Sequence, residues 1–373
     1  MNIRTSNERE DRLNENLNEN KEFEPVNNWD DYNLKEDLLR GIFAYGFENP
    51  SQIQKTAIMP IIEKYDIIAQ APSGTGKTGA FTIGSLERVD IKSNTTQVLM
   101  LAPTHELVKQ ISLVVKTLGC MMEGLRIKTL VGGTSVSEDS QDLKHNVPHI
   151  IVGSVGRVSD MIRRRAIQTK NIKLFVLDEA DEMLSGGFLD NIRQMFLSFD
   201  TNIQVAIFSA TLPNEIIELT NKFMRNPVKI IMEAEKLNLE GIQQHYIALS
   251  DDQAKYDTLK DLFGTLSMNQ SIIYVNSVNR VVDLYNAMEK DGCATCCIHS
   301  SMSTEERHKA ISEFRSGVHR VLISSNVTAR GIDVQQVSIV INFDIPRDVH
   351  NYLHRIGRSG RWGRKGIAIN FIT

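Results

Sequence analysis

Short apolar segments that alternate with helical stretches constrain the fold of this chain more than any other feature. This alternation is typical of βαβ units on a buried parallel sheet, whose strands read as continuous apolar runs. In the first half it predicts strands at residues 66–71, 98–102, 126–131, 149–152, 174–177 and 204–208. It then restarts and predicts strands at residues 271–275, 295–299, 320–323, 338–342 and 367–372. The expected fold class is therefore α/β, with two tandem domains that each contain a mostly parallel sheet flanked by helices.

Composition sets the predicted domain boundaries. A chain of 373 residues has room for two domains of ~100–200 residues each. The polar stretch 233–241 interrupts the alternation and is the predicted linker between a domain at 29–232 and one at 242–373. Residues 1–28 contain eight asparagines and seven acidic against four basic residues, so we predict a disordered arm with a net charge of -3. Next to it, Asn33 is expected to cap a helix that Gly46 closes.

Charge and cysteine content exclude several classes of protein. The net charge of -4 argues against a protein that binds nucleic acid through bulk positive charge. No run approaches the ~18 apolar residues that a membrane span needs, and the N-terminus lacks an apolar signal region. Four cysteines in so long a chain favour a reducing, intracellular compartment over a disulfide framework. Cys293 and Cys296 have a zinc-like spacing, but a buried strand at residues 294–298 is the favoured interpretation because no second pair is present.

The most specific chemical motif directly follows the first apolar strand, at residues 71–78 (Ala-Pro-Ser-Gly-Thr-Gly-Lys-Thr). Glycines in such a loop let backbone N–H groups surround phosphate oxygens, and the following helix adds the positive end of its dipole. Lys77 can reach the β- and γ-phosphates, and the Thr78 hydroxyl can ligate Mg²⁺. The expected nucleotide-binding residues are Ser73, Gly74, Thr75, Gly76, Lys77 and Thr78. A glycine-rich turn without a ligand is the alternative, which the Lys-Thr pair disfavours.

Acidic residues follow another apolar strand, at Asp178-Glu179-Ala180-Asp181. A site that hydrolyses nucleotides needs carboxylates where a neighbouring strand ends. We expect Asp178 to hold Mg²⁺ and Glu179 to orient and deprotonate the water that attacks ATP. The same residues could start a solvated helix, but their position after a strand favours the catalytic interpretation.

Together these motifs resemble those of the DEAD-box RNA helicases, and the resemblance spans residues 29–373. It implies two RecA-like domains with ATP and Mg²⁺ as cofactors. Gly46–Gln54 is similar to the Q motif of the family, which implies that Gln54 reads the adenine edge and that Trp29 stacks on the base. Within the family, similarity to translation initiation factor 4A and its exon-junction paralogue rests on residues 239–242, 314–317 and 361–366.

The resemblance assigns further roles around the nucleotide. Arg358 and Arg361 are expected to meet the γ-phosphate as arginine fingers, whose charge stabilises the transition state. The expected catalytic residues are then Lys77, Glu179, Arg358 and Arg361. The residues expected to couple hydrolysis to domain closure are Asp181, Ser209, Thr211 and His354. Those expected to contact the ribose are Gly331 and Asp333.

The resemblance also implies that RNA lies across both domains and is bound mainly through its sugar-phosphate backbone. The expected RNA-binding residues are Pro103, Thr104, Gly133, Ser154, Gly156, Arg157, Asn276, Arg307, Ser325 and Arg330. Four positions depart from the family pattern on the RNA or coupling side, namely His105, Val155, Thr304 and Asn326. We therefore expect intact ATPase chemistry with altered RNA affinity or coupling. Family members also continue beyond the position of Thr373, so the second domain is expected to lack its last helix.

Two functions stay open on this evidence. The leading hypothesis is an ATP-dependent RNA helicase, in which RNA-stimulated hydrolysis is coupled to closure of two domains and to local duplex unwinding. The alternative is an ATP-dependent RNA clamp or scaffold without productive unwinding; a DNA translocase is disfavoured. We expect a monomer without membrane association, cytoplasmic rather than nuclear, with translation-initiation or ribonucleoprotein scaffold proteins as partners.

Overall fold

The chain forms two compact units, the first built from most of the residues before 233. The structure is a computed structural model that describes residues 23–71, 74–185, 187–232, 242–265, 270–325, 337–347, 349–359 and 366–373. Each unit contains one parallel sheet with helices packed on it. The α/β fold class expected from the alternation of strands and helices is therefore confirmed. The predicted linker 233–241 lies outside the described residues.

The first unit is built on a sheet whose central strands are buried along their whole length. Its strands are β1 (Ile67–Gln70), β2 (Val98–Ala102), β3 (Ile127–Leu130), β4 (Ile150–Ser154), β5 (Leu174–Asp178), β6 (Gln204–Ser209) and β7 (Val228–Ile231). Their order is β3-β4-β2-β5-β6-β1-β7, and every pair is parallel. Its helices are α1 (Glu36–Tyr45), α2 (Gln52–Ile62), α3 (Lys77–Arg88), α4 (His105–Leu118), α5 (Val136–His145), α6 (Val155–Arg163), α7 (Ala180–Ser185), α8 (Leu189–Ser198) and α9 (Asn214–Phe223).

The second unit repeats this plan with fewer elements. Its strands are β8 (Ile242–Ala248), β9 (Ser271–Tyr274), β10 (Thr295–Ile298), β11 (Val321–Ser324), β12 (Ile339–Asn342) and β13 (Gly366–Ile372). Their order is β10-β11-β9-β12-β13-β8, again with parallel pairs throughout. Its helices are α10 (Asp252–Thr265), α11 (Val278–Lys290), α12 (Thr304–Arg315) and α13 (Val349–Ile356). Apolar clusters cover both faces of the sheet, as the unbroken apolar runs of its strands require.

Strand β10 confirms the structural interpretation of the cysteines. Cys296 is buried with Ile272 and Ile298 on one face of the sheet, and burial raises the pKa of its thiol to about 12. Cys293 and Cys297 pack on the other face, against the core around Leu284. No helix in the described part of the chain is long and apolar enough to cross a membrane.

Helix α1 begins later than the sequence pattern predicts. Its N-cap is Lys35, so the expectation that Asn33 caps this helix is wrong. Asn33 instead ends a 3₁₀ turn at Trp29–Tyr32 in the left-handed conformation, with φ of +52°. Asparagine tolerates this conformation better than most residues, because its short amide can bond to the backbone nearby. Gly46 does close α1, with φ of +91° and its N–H donating to the Ile42 and Phe43 carbonyls, as predicted.

Two edge strands are absent from the predicted set. Strands β7 and β8 each lie at one edge of a sheet. Half-buried and exposed residues alternate in β7, and only Ile242 is buried in β8. The sequence pattern missed them because neither forms an unbroken apolar run: Lys229 interrupts β7, and most exposed residues of β8 are polar. A search for unbroken apolar runs therefore finds the centre of a sheet more readily than its edges.

The expectation of a disordered arm is wrong for its last six residues. Residues 23–28 lie in contact with the first unit, while residues 1–22 lie outside the described part of the chain. The Phe23 and Tyr65 rings meet edge to face with their centroids 5.2 Å apart, and the Val26 N–H donates to the Lys55 carbonyl at 3.1 Å. An aromatic ring and a backbone hydrogen bond thus hold a segment whose composition is otherwise polar.

Two contacts fix the helix that follows the predicted phosphate loop. The Lys35 ammonium donates to the Leu86 and Val89 carbonyls at 3.2 and 2.8 Å, where α3 ends. A cation at this end of a helix complements the negative end of its dipole. The Lys35 backbone N–H donates to Glu87 Oε2 at 2.9 Å. Helix α3 is thus anchored at the end opposite to the loop.

Candidate functional site

Three strand ends of the first sheet bring the predicted motifs to one edge. Strand β6 lies between β1 and β5, with Ser209 opposite Gln70 and Phe208 opposite Asp178. In a parallel sheet, the segments that follow adjacent strands leave from the same edge, where ligands of α/β proteins bind. Ala71 and the described segments 74–78, 178–181 and 209–211 therefore lie at this edge.

The ammonium group of Lys77, at the start of α3, reaches back to the residue that follows β1. This side chain is buried, and its Nζ donates to the Ala71 carbonyl at 2.8 Å. Gly74 and Gly76 adopt left-handed conformations, with φ of +82° and +101°. Thr75 and Thr78 are half-buried beside them, and the predicted Ser73 lies outside the described residues. An ammonium group and the N-terminus of a helix thus lie together, an arrangement suited to phosphate.

Asp178 ends β5 as a buried carboxylate beside a second acidic side chain. Its Oδ1 accepts a hydrogen bond from the Glu179 N–H at 3.1 Å. Burial, and next the negative charge of Glu179, raise the pKa of Asp178 to about 7, while the positive charge of Lys77 opposes this shift. Glu179 itself has φ of +55°, a left-handed conformation that is unfavourable for a residue with a side chain. Shifted carboxylates and local strain of this kind concentrate at functional sites.

The segment after β6 is joined to the acidic motif by two hydrogen bonds. The Thr211 hydroxyl donates to Asp181 Oδ2 at 2.9 Å, and the Asp181 N–H donates to Ser209 Oγ at 3.2 Å. The Ala71 N–H donates to the Ser209 carbonyl at 3.0 Å, which connects the same segment to the phosphate loop. The three residues predicted to couple hydrolysis to closure in this unit therefore form one connected group.

Gln54 joins the start of α2 to the phosphate loop. Its Oε1 accepts from the Ser51 N–H at 2.7 Å, and its Nε2 donates to the Gly76 carbonyl at 3.3 Å. Trp29 is buried with its ring stacked against Phe47, the two ring centroids 6.1 Å apart. Contacts of Gln54 and Trp29 with adenine stay predictions.

The RNA-side residues predicted for the first domain follow β2, β3 and β4, which are neighbours in the sheet. They are Pro103, Thr104, Gly133, Ser154, Gly156 and Arg157. Gly133 is exposed and has φ of +86°, and Ser154 ends β4 directly before α6. Ser154 and Arg157 are both buried, and Arg157 differs from the others because its guanidinium group binds Thr134 and Asp139. The departures His105 and Val155 are the first residues of α4 and α6.

In the second unit, two of the described RNA-side residues follow neighbouring strands and the third lies on a helix. Asn276 follows β9, and its Nδ2 donates to the Ile345 carbonyl at 2.8 Å. Ser325 follows β11 and is buried, and Arg307 lies on α12, which begins at Thr304. The predicted residues that lie outside the described part of the chain are Asn326, Arg330, Gly331, Asp333 and Arg361.

Helix α13 and the turn after it carry His354 and Arg358, both buried, together with an arginine that the sequence pattern did not single out. Arg355 is fully buried and donates to Asn276 Oδ1 at 2.8 Å and to the Asp344 carbonyl at 2.7 Å. Asp344 was missed as well, although it follows an apolar strand much as Asp178 does. That shared position is the signal that could have found it.

Comparison with known proteins decides the family. The DEAD/DEAH box helicase family matches residues 51–219, and the helicase conserved C-terminal domain matches residues 254–363. The ATP-dependent RNA helicase eIF4A of Saccharomyces cerevisiae is 50% identical over 348 residues, which cover 93% of this chain and 87% of the relative. The chain belongs to the DEAD-box RNA helicases.

A second relative and a solved structure agree with this assignment in sequence and fold. Eukaryotic initiation factor 4A of Caenorhabditis elegans is 49% identical, over 93% of this chain and 86% of its own. The structure of S. cerevisiae Dbp5 bound to RNA and ADP-BeF3 matches with a TM-score of 0.84 at 35% identity, over 93% of this chain and 90% of that one. The resemblance to the 4A group and the two RecA-like domains are thereby confirmed.

Membership in the DEAD-box family also fixes the class of enzyme. The protein is an ATP-dependent RNA helicase that hydrolyses ATP, so it binds nucleotide and RNA. The alternative of an RNA clamp without unwinding is not favoured.

Proposed function

We propose that ATP binds at the carboxyl ends of β1, β5 and β6, and that RNA-stimulated hydrolysis there unwinds short duplexes locally. The observation that carries this proposal is the meeting of the Lys77 ammonium group with the buried Asp178 and Glu179 carboxylates at one sheet edge. Two domains, at 29–232 and 242–373, close on RNA around the linker 233–241. The RNA and ADP-BeF3 held by the related Dbp5 structure support both ligands.

The nucleotide is held through its phosphates and its base. The loop residues Ser73, Gly74, Thr75 and Gly76 direct backbone N–H groups at phosphate oxygens, and Lys77 binds the β- and γ-phosphates. Gln54 reads adenine, since its amide nitrogen carries a second hydrogen besides the one that Gly76 accepts. Trp29 contributes stacking on the base, and Gly331 and Asp333 contact the ribose.

The residues at this edge fit Mg²⁺, a hard cation that prefers oxygen ligands. The Thr78 hydroxyl and the Asp178 carboxylate supply such oxygens. Burial and the charge of Glu179 raise the pKa of Asp178, so a cation beside this carboxylate would relieve the repulsion between the two acids. Thr78 and Asp178 would hold the ion, which neutralises charge on the phosphates when bound.

Hydrolysis is assigned to residues of both domains. Glu179 orients the attacking water and accepts its proton, while Lys77, Arg358 and Arg361 stabilise the charge that develops on the γ-phosphate. The residues that couple this step to closure are Asp181, Ser209, Thr211 and His354. The hydrogen bonds of Asp181 with Ser209 and Thr211 support that assignment in the first domain.

RNA is bound without sequence preference, along the edges where its predicted contacts follow neighbouring strands. These contacts are Pro103, Thr104, Gly133, Ser154, Gly156, Arg157, Asn276, Arg307, Ser325 and Arg330. We further propose a cytoplasmic monomer that works with translation-initiation or ribonucleoprotein scaffold proteins, by analogy with the 4A relatives.

Glu179→Gln tests the assignment of the general base. The amide cannot accept the proton of the attacking water, so RNA-stimulated ATP turnover should fall by ~10²–10⁴-fold while ATP binding persists. Turnover and displacement of a short RNA strand are measured in the same samples. Glu182→Gln, three residues along the chain, is the matched control and should keep parental turnover. Parental turnover in Glu179→Gln would contradict the assignment.

A further inference from the structure

We propose that Asp139 is a positioning residue for RNA, which holds Arg157 and Thr134 and thereby fixes the loop that presents Gly133. The inference rests on the proposed function, in which RNA lies along the ends of β2, β3 and β4. Beyond its proposed contact with RNA, Arg157 gains a second role, in which an acidic partner holds its guanidinium group.

Asp139 lies in the first turn of α5 at the centre of a buried charge cluster. Its Oδ2 accepts hydrogen bonds from Arg157 Nη1 and from the Thr134 hydroxyl, the latter at 2.9 Å. Its Oδ1 lies 3.3 Å from Lys128 Nζ on β3. The side chains of Asp139 and Arg157 are only 9% and 7% exposed, so water does not replace either partner.

The same cluster holds the loop after β3 by its backbone and its side chain. Arg157 Nη2 donates to the Thr134 carbonyl at 2.7 Å, and Nη1 donates to the Thr134 hydroxyl at 3.0 Å. That hydroxyl also lies 3.1 Å from the Val131 carbonyl. Gly132 and Gly133 have no side chains to restrict their backbone, and glycine loses more freedom on ordering than other residues. The Asp139–Arg157 pair therefore restricts the backbone of this loop, which its glycines leave free.

One pair therefore orders two proposed RNA contacts. Arg157 belongs to the first turn of α6, next to Ser154 and Gly156, whereas Thr134 belongs to the loop with Gly133. The Asp139 carboxylate bridges these two segments. Asp139 and Arg157 are 18 residues apart in sequence. Without the charge of Asp139, the two segments should no longer be held in a fixed relative position. Contacts with the RNA backbone should then weaken, while the residues proposed to bind ATP keep their structure.

The test compares Asp139→Asn with Asp142→Asn in the full chain. Asp142 also binds Lys128, but it is 47% exposed and serves as the matched control. For each protein, the RNA concentration that gives half-maximal ATPase stimulation, the KM for ATP and the RNA-free turnover are measured, with a mixed-sequence single-stranded RNA as the probe. Asp139→Asn should raise the RNA value about tenfold or more and leave the KM for ATP and RNA-free turnover within about twofold.

A second variant covers the case in which Asp139→Asn does not fold because the Arg157 charge is left buried. Thr134→Val leaves the Asp139–Arg157 pair intact but removes the hydroxyl that both groups contact, and it should show the same selective rise at smaller size. If a folded variant keeps the parental RNA concentration for half-maximal stimulation, Asp139 has no role in RNA binding. If all three quantities worsen equally, or if neither variant folds, the role of Asp139 is purely structural. Each of these results would overturn the inference. Absence of RNA stimulation in the parent would instead contradict the proposed function.

Discussion

Two buried carboxylates follow parallel strands of the two sheets, yet their surroundings are opposite. Asp178 ends β5 beside another acid, and its pKa is raised by burial and by that neighbour. Asp344 follows β12 and receives Arg280 through Nε and Nη2, each at 2.6 Å, with Lys255 Nζ at 3.6 Å. It also accepts from the Asn276 N–H at 3.1 Å. The negative charge of Asp178 is therefore unfavourable until a ligand offsets it. The negative charge of Asp344 is already neutralised by cationic side chains of the protein.

This difference shows how one fold supports two tasks. A like charge beside a buried acid prepares a site for a cation or a proton, as proposed for the first domain. A carboxylate surrounded by cations instead fixes its neighbours, and Asp344 fixes the turn at Asn276, which the proposed function places against RNA. The two surroundings predict opposite responses when each charge is removed.

The largest effect is expected for Asp344→Asn. The amide removes the buried negative charge that Arg280 and Lys255 share and leaves them only the exposed Asp252. The protein should therefore lose about 3 kcal/mol of unfolding free energy. Urea unfolding at pH 8 measures the loss, with Asp178→Asn as the matched removal of a strand-end charge. Equal destabilisation by both variants would break the comparison.

An intermediate effect is expected for Asp178→Asn, and it depends on pH. The folded pKa of about 7 lies above the unfolded value near ~4, so the protonated acid favours the folded state at low pH and this contribution is lost as pH rises through about 7. Asparagine does not titrate. In the absence of nucleotide, the unfolding free energy of the variant relative to that of the parent should therefore rise by about 1 kcal/mol between pH 6 and pH 8. Urea unfolding of both proteins at the two pH values measures this change. The same difference in unfolding free energy at both pH values would contradict the raised pKa of Asp178.

The smallest effect is expected for Asp252→Asn. Asp252 binds the same Arg280, at 2.8 Å, but its side chain is 63% exposed, so water and salt screen the pair. The expected loss is about 0.5 kcal/mol in 0.1 M salt and less in 1 M salt. Thermal unfolding at both salt concentrations checks this. A loss as large as that of Asp344→Asn would show that burial does not set the strength of the network.

The buried strands and the motifs at their ends could be predicted because both are local. Val98–Ala102 and Leu174–Asp178 are buried along their length, and an apolar run in the sequence reports that directly. Edge strands such as Ile242–Ala248 escape this rule, since their exposed residues are polar. The predicted phosphate loop and the acidic motif could be singled out because each occupies a few consecutive residues after such a run.

The partners of buried charges could not be predicted, because they are distant in sequence. Arg280 and Asp344 are 64 residues apart, and no local pattern pairs them. Arg157 was expected on the RNA side from its motif, but only the structure shows that its guanidinium group points to Asp139. Sequence patterns singled out residues that are expected to carry chemistry, and the fold shows which of these residues bind each other.

The left-handed backbone at Glu179 has a consequence for how this protein can change. A glycine there would adopt φ of +55° without steric cost, so Glu179→Gly relieves about 1 kcal/mol of strain. Under the proposed mechanism, the same change removes the group that accepts the proton of water. Relief of backbone strain and the proposed activity therefore oppose each other at this single position, where the chain carries the glutamate.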